Sequence, residues 1–259
     1  MAKVLFATKR ARPDTGTALS HLMTRATDPN EDDWSKLAHL MMCIRGTKDL
    51  PLVLGTNGCG MLKWHIDGLH GVHHNLRGHT GGGMTMGRGY PISHSAKQKL
   101  NTRSSCEGEL VGVDDLMPQI LWTRLFLEAQ GYGTRESLIY QDNKAAILLE
   151  KNGRYSCGKR SKHINIRYFF VTDRISKGDI KIEWCPTEDM TGDFWTKPLQ
   201  GALFKKFRDL IMGVMPQPVP RGAKPSKAKD KDPSTEVKRT KSDVRRSVLE
   251  DHDKAPRGT

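Results

Sequence analysis

Apolar residues recur at helical spacing through the first 47 residues. They do so in TGTALSHLMTRA and again in DDWSKLAHLMMCIRGT, where Trp34, Leu37, Leu40 and Met41 follow the helical repeat. Asp32 or Asp33 is placed to cap the second helix and Gly46 to end it. From Met61 the period changes to two. MLKWHID puts Leu62, Trp64 and Ile66 on one face, and HTGGGMTMGRG and YPISHSAKQ read as two further strands with a tight turn around Gly87–Gly89.

A long helix is predicted from about Ser105 to Gln130, with Pro118 disturbing a turn and Gly131 stopping it. The strand SLIYQ, a helix from Asn143 to Lys151 and the basic loop RYSCGKRSK follow. Then come the helix HINIRYFFVTDRISK, the strand DIKIEWC, a short helix capped by Thr187 and running through Phe194, and the amphipathic GALFKKFRDLIMG. Hairpin-linked strands followed by strands alternating with helices predict an α/β fold. Its sheet is mixed and five-stranded, and helices flank it. From Pro216 onward Pro, Lys, Ser and Asp dominate, the composition of a disordered tail.

Charge narrows the partners. The net charge is +13. Residues 221–259 carry twelve Lys/Arg against seven Asp/Glu, so the larger share of the excess lies on the folded part. A basic chain of this kind fits a polyanion, nucleic acid above all. The tail reads as an arm for nonspecific RNA binding, sensitive to salt. Five cysteines, none in Cys-x-x-Cys spacing, predict reduced thiols in an intracellular setting, cytoplasmic or nuclear. No apolar run approaches the ~18 residues that a membrane span needs.

Four carboxylates fall on four elements that meet at one end of such a sheet. Asp67 ends the first strand, Asp142 ends the fourth, Glu109 opens the long helix, and Asp193 sits in the short helix after the fifth strand. Carboxyl ends of parallel strands are where open α/β sheets place ligands. Bunched carboxylates need counter-charge, and hard oxygen ligands select Mg²⁺ or Mn²⁺. Two such ions activate a water and stabilise the leaving oxygen of a phosphodiester. Each acid also has a plainer use. Asp142 or Asn143 can cap the following helix, and Asp193 can be surface charge. Glu107 belongs to a Ser104-x-x-Glu107 capping box, which leaves Glu109 free for a metal. Lys97, Lys99 and Arg103, just before the long helix, are candidates for touching phosphates or form a solvated face. His70, His73, His74 and His79 hint at zinc, but no cysteine or second cluster completes a site.

With these residues in view, the chain resembles the ribonuclease H domain of copia-type retrotransposon Pol polyproteins. The matching blocks are WHIDGLHGVHHNLRGHTGG, SAKQKLNTRSSCEGELVGVDD, IYQDNKAAILLEKNG, KRSKHINIRYFFVTDRI and WCPTEDMTGDFWTKPLQG, and the likeness spans roughly residues 1–213. The resemblance implies a ribonuclease H-like fold and hydrolysis of the RNA strand of RNA–DNA hybrids with two Mg²⁺ ions. It places the catalytic and metal-binding acids on Asp67, Glu109, Asp142 and Asp193. Two positions depart from the family pattern. Asp67 is followed by Gly68-Leu69-His70 where a second acid or Ser is usual, and His163-Ile164-Asn165 has Asn for the acid.

KRARPDTGTA and GTKDLPL resemble the end of the preceding reverse transcriptase. The polymerase itself is expected to be missing, since Val113-Asp114-Asp115 lies mid-helix rather than on a hairpin. The expected division is 1–57 as the reverse-transcriptase-like helical segment and 58–199 as the ribonuclease H-like domain. Residues 200–214 form a C-terminal helix, and 215–259 are the basic tail. The competing expectation is a catalytically dead remnant that binds nucleic acid without cutting it.

Overall fold

The structure is a computed structural model that describes residues 1–58, 60–134, 136–153 and 165–215, with the backbone alone for 165–169. Three helices come first: α1 (Ala2–Arg10), α2 (Gly16–Thr24) and α3 (Glu31–Gly46). Neither Asp32 nor Asp33 caps α3. Asn30 does, accepting from the Asp33 N–H while the Asp33 carboxylate accepts from the Asn30 N–H. Leu40 is buried with Leu19 and Leu22, and Leu37 packs beside them. Trp34 is 73% exposed and Met41 also faces out, so the apolar spacing of this helix is wider than the face it buries.

The sheet is built from β2 (Leu62–Leu69), β3 (His79–Thr85), β5 (Ile92–Lys97), β6 (Ser137–Gln141) and β7 (Ile180–Trp184). Two short strands, β1 (Gly55–Thr56) and β4 (Gly87–Arg88), pair with each other beside it. The order is β5-β3-β2-β6-β7. β2, β3 and β5 are antiparallel, and β6 and β7 run parallel to β2. This is the mixed five-stranded sheet with flanking helices that the sequence predicts, with the first strand of the meander central.

The remaining helices are α4 (Ser105–Ala129), α5 (Lys144–Asn152), α6 (Asn165–Ser176) and α7 (Gly201–Ile211). α4 continues through Pro118. On one face of the sheet its Leu110, Val113, Leu116, Met117 and Ile120 pack with Trp64, Ile66, Ile139 and Ile182. Each such side chain contributes about 1.5–3 kcal/mol on burial. A second cluster joins Tyr90 and Trp195 to Phe207, Leu210 and Ile211 of α7. The Trp195 ring lies so close to β3 that a Cβ on Gly83 would sit 2.4 Å from it. The glycine run of β3 is the seat for this indole.

The predicted short helix after β7 is two 3-10 turns, Thr187–Asp189 and Thr191–Trp195. Thr187 does not cap; its hydroxyl donates to Asp142. Residues 1–57, 58–199 and 200–214 all fall within one compact unit, Met1–Pro218. The basic loop at 154–162, His163-Ile164 and the tail beyond 215 lie outside the described residues. Cys43, Cys106 and Cys185 are free thiols. Among the described residues no helix is long and apolar enough to cross a membrane.

Candidate active site

Asp67 lies on β2, which continues two residues past it, and is 2% exposed. Its strand neighbour Gly68 lets α4 come down directly onto the sheet. A Cβ there would lie 2.3 Å from the Gly108 carbonyl oxygen. The next residue of α4 is Glu109, whose carboxylate accepts from the Gly68 N–H at 3.0 Å. Ser104 starts the helix as expected, accepting from the Glu107 N–H. Glu107 accepts in turn from the Arg103 N–H, so Glu107 is spent on the helix start.

Asp142 follows the last residue of β6, which is parallel to β2 and hydrogen-bonded to it. Its neighbour Asn143 is the helix cap, accepting from the N–H groups of Ala145 and Ala146. Capping is therefore Asn143's task and leaves the Asp142 carboxylate available. That carboxylate accepts from Thr187 at 3.1 Å, and the Asp142 carbonyl accepts from the Trp184 indole N–H at 3.2 Å.

One oxygen each from Asp67, Glu109 and Asp142 lies within 4.8 Å of the other two. Asp193 is not in that group. It sits in the 3-10 turn Thr191–Trp195, 3% exposed, and its carboxylate pairs with the Lys197 ammonium at 2.7 Å. The same ammonium is 4.0 Å from Asp67, so it stands between the two acids. Thr196 donates its hydroxyl to Asp67.

Burial raises the Asp67 carboxyl, and Lys197 and Thr196 oppose that rise. Burial, together with the charges of Asp67 and Asp142, lifts Glu109 well above the usual carboxylate range. Burial and Asp67 push Asp193 up to about 6. Burial works against the Lys197 charge, but Asp67 and Asp193 outweigh it and raise that group. Behind the site Glu150 of α5 is fully buried and raised by burial. Gln141 lies beside it but not in hydrogen-bond geometry. Electron-rich oxygens crowded in a dry place, with one ammonium nearby, are a donor set that a hard divalent cation fits.

Three residues of this site escape a reading by motif: Gly68, Thr196 and Lys197. The i, i+4 spacing of Asp193 and Lys197 is the available signal for the ion pair. The other expected residues divide. Lys97 closes β5, while Lys99 and Arg103 are exposed on the loop before α4. Asp115, on α4, accepts from the Thr80 hydroxyl. The histidines do not form a metal set among the described residues. His73 and His79 hydrogen-bond each other, and His70 bonds Thr102.

No family model matches the chain. Several known proteins are similar to it. The retrovirus-related Pol polyprotein from transposon TNT 1-94 of Nicotiana tabacum is 25% identical over 82% of this chain and 16% of its own length. Those from transposons RE2 and RE1 of Arabidopsis thaliana are each 29% identical, over 80% and 77% of this chain and 14% of their own lengths. The chain thus spans a small part of the relatives it matches.

Among solved structures, the N-terminal RNase H domain of rv2228c from Mycobacterium tuberculosis superposes with a TM-score of 0.38. It is 15% identical, covering 56% of this chain and 97% of that one. RNase H1 from Halobacterium salinarum gives a TM-score of 0.34 at 12% identity, covering 51% and 90%. Sequence similarity to retrovirus-related Pol polyproteins of plant transposons thus runs along most of this chain, whose strand order is that of a mixed five-stranded sheet flanked by helices.

Proposed function

We propose that this domain hydrolyses the RNA strand of RNA–DNA hybrids and uses divalent cations, Mg²⁺ or Mn²⁺, to do so. The observation that carries the reading is the meeting of Asp67, Glu109 and Asp142 within 4.8 Å, with Asn143 relieving Asp142 of the helix cap. These three residues would hold a cation. Bound there, the cation supplies Lewis acidity for a phosphodiester and lowers the pKa of a water. A second cation between Asp67 and Asp193 would have to displace the Lys197 ammonium that now fills that gap.

The residues of the chain do the positioning. Gly68 holds Glu109 through its N–H, Thr196 orients Asp67, and Thr187 orients Asp142. In the reaction a water oxygen bonds to phosphorus, the bond from phosphorus to the 3′ oxygen breaks, and that oxygen takes up a proton. The products carry 3′-hydroxyl and 5′-phosphate ends.

The test is a labelled RNA–DNA hybrid incubated with the chain in Mg²⁺ and in EDTA, beside Asp142→Asn. Cutting of the RNA strand only in Mg²⁺, abolished in the variant, is expected. A folded wild-type chain that binds the hybrid and never cuts it would replace this reading with that of a nucleic-acid-binding remnant.

A further inference from the structure

A cavity of about 440 Å³ lies where α2 meets the loop after β2 and the end of β5. His21, Arg25, His73, His74, Asn75 and Lys97 line it. No carboxylate does. Lys97 makes no hydrogen bond or ion pair among the described residues. Arg25 is anchored from behind, its Nε paired with Asp33 at 3.1 Å. A cavity lined by N–H donors, the Lys97 ammonium and a guanidinium whose one carboxylate partner, Asp33, stays outside the lining suits an anion.

The cavity is tied to the acid site through defined hydrogen bonds. The Ser95 hydroxyl donates to the Trp195 carbonyl at 2.8 Å. Ser95 Oγ therefore accepts from His79 Nε2–H at 2.9 Å, which leaves His79 Nδ1 to accept from His73 Nε2–H at 3.0 Å. These donor roles fix both tautomers, and His73 Nδ1 is the end of the chain of bonds. Trp195, at the other end, precedes Thr196 and Lys197, which contact Asp67 and Asp193. Leu69, two residues past Asp67, pairs with His79 in the sheet. The cavity thus lies at the same end of the central strands as the acids.

We propose that this cavity binds a phosphodiester of the nucleic acid, at a nucleotide other than the one being cut, through Lys97, Arg25 and the His73 imidazole. The inference rests on the hybrid as substrate. It gives the N-terminal helices a share in holding that substrate, since α2 supplies His21 and Arg25. A bound phosphate accepts from Lys97 and Arg25, and from His73 when its Nδ1 carries a proton, with no change to the bonds behind His73.

Binding of a fluorescent RNA–DNA hybrid in EDTA tests this, across a range of salt. Lys97→Ala and His73→Ala are compared with Lys48→Ala, which removes one exposed charge elsewhere. The expected result for Lys97→Ala is a roughly five- to tenfold weaker Kd. Its log K against log salt slope should also be shallower by about 0.9, because one phosphate fewer is neutralised by the protein. Lys48→Ala should match the wild type. His73→Gln, which retains an N–H donor at the ring's place, stands in if His73→Ala does not fold.

Wild-type affinity and slope in Lys97→Ala would overturn the proposal. So would imidazole NMR signals of His73 that shift with inorganic phosphate but not with the hybrid, since the cavity would then take a free anion. The binding assay contains no metal, so a chain that fails to cut RNA leaves it standing. Intact cutting with unchanged Lys97→Ala binding removes the cavity proposal alone.

Discussion

Asn143 accepts two of the N–H groups that open α5, and this decides what its neighbour is for. An aspartate at a strand-to-helix junction is ordinarily a cap, and a cap is worth about 1 kcal/mol. With that work done next door, the two residues should separate cleanly in urea denaturation. Asn143→Ala is expected to lose about 1 kcal/mol. Asp142→Asn in EDTA should be close to neutral, since its hydrogen bond to Thr187 can be kept. An equal loss in both would return Asp142 to a structural role.

Gly68 is the second decisive residue. Gly68→Ala puts a methyl into the Gly108 carbonyl, so α4 must back away and carry Glu109 with it. A loss of about 1–3 kcal/mol is expected, together with weaker Mg²⁺ binding by calorimetry. Unchanged stability would mean that the helix does not rest there. The acids are legible in the sequence because chemistry restricts which residue types can hold a hard cation. The glycine is not, because its role is defined by a helix that lies far along the chain.

Among the elements, β2 and α4 are legible from period, since each presents an apolar face to the core. The segment after β7 is different: its pattern suggests one short helix capped by Thr187, and it folds as two turns instead. Its residues serve partners outside the segment. Thr187 goes to Asp142, and the Trp195 indole N–H to the Pro13 carbonyl. Local pattern cannot register such partners.

The pH behaviour of the turn Thr191–Trp195 follows from its burial. Asp193 keeps its proton up to about 6, against 3.8 unperturbed. Between those values the native state binds more protons than the unfolded chain, so this group's stabilisation is full below 3.8 and lost as pH rises through 6. Buried imidazoles act with the opposite sign. His65 is lowered to about 3, and His79 and His94 to about 4, by burial first. Their contribution is present above 6.5 and lost as pH falls. The difference between Asp193→Asn and the wild type in EDTA isolates the carboxyl. It should move in favour of the variant from about pH 4 to about pH 7. A pH-independent difference in urea midpoint would contradict the burial of this acid.

For the whole molecule, the N-terminal helices are more than an appendage. Pro13 accepts from the Trp195 indole at 3.1 Å, Thr17 donates to the Phe194 carbonyl, and Lys9 donates to the Ser93 carbonyl of edge strand β5 at 2.9 Å. They hold the turn that carries Asp193. Removal of residues 1–47 is expected to lower the melting temperature and to cost hybrid cutting even where the sheet still forms. Full activity in the shortened chain would refute this. The alternation of strands and helices announces the α/β class. The docking of α2 against β5 and Trp195 joins positions far apart in the chain, beyond what any local period records.

That docking has a kinetic consequence. Pro13 and Trp195 are separated by 182 positions, and Val53 donates its N–H to the Met212 carbonyl. Contacts so distant along the chain close slowly, because loop entropy is lost before they return anything. The N-terminal helices therefore lack this anchor until the turn Thr191–Trp195 has formed. Asp193 rides on that turn, so its approach to Asp67 across the Lys197 ammonium also comes late in folding.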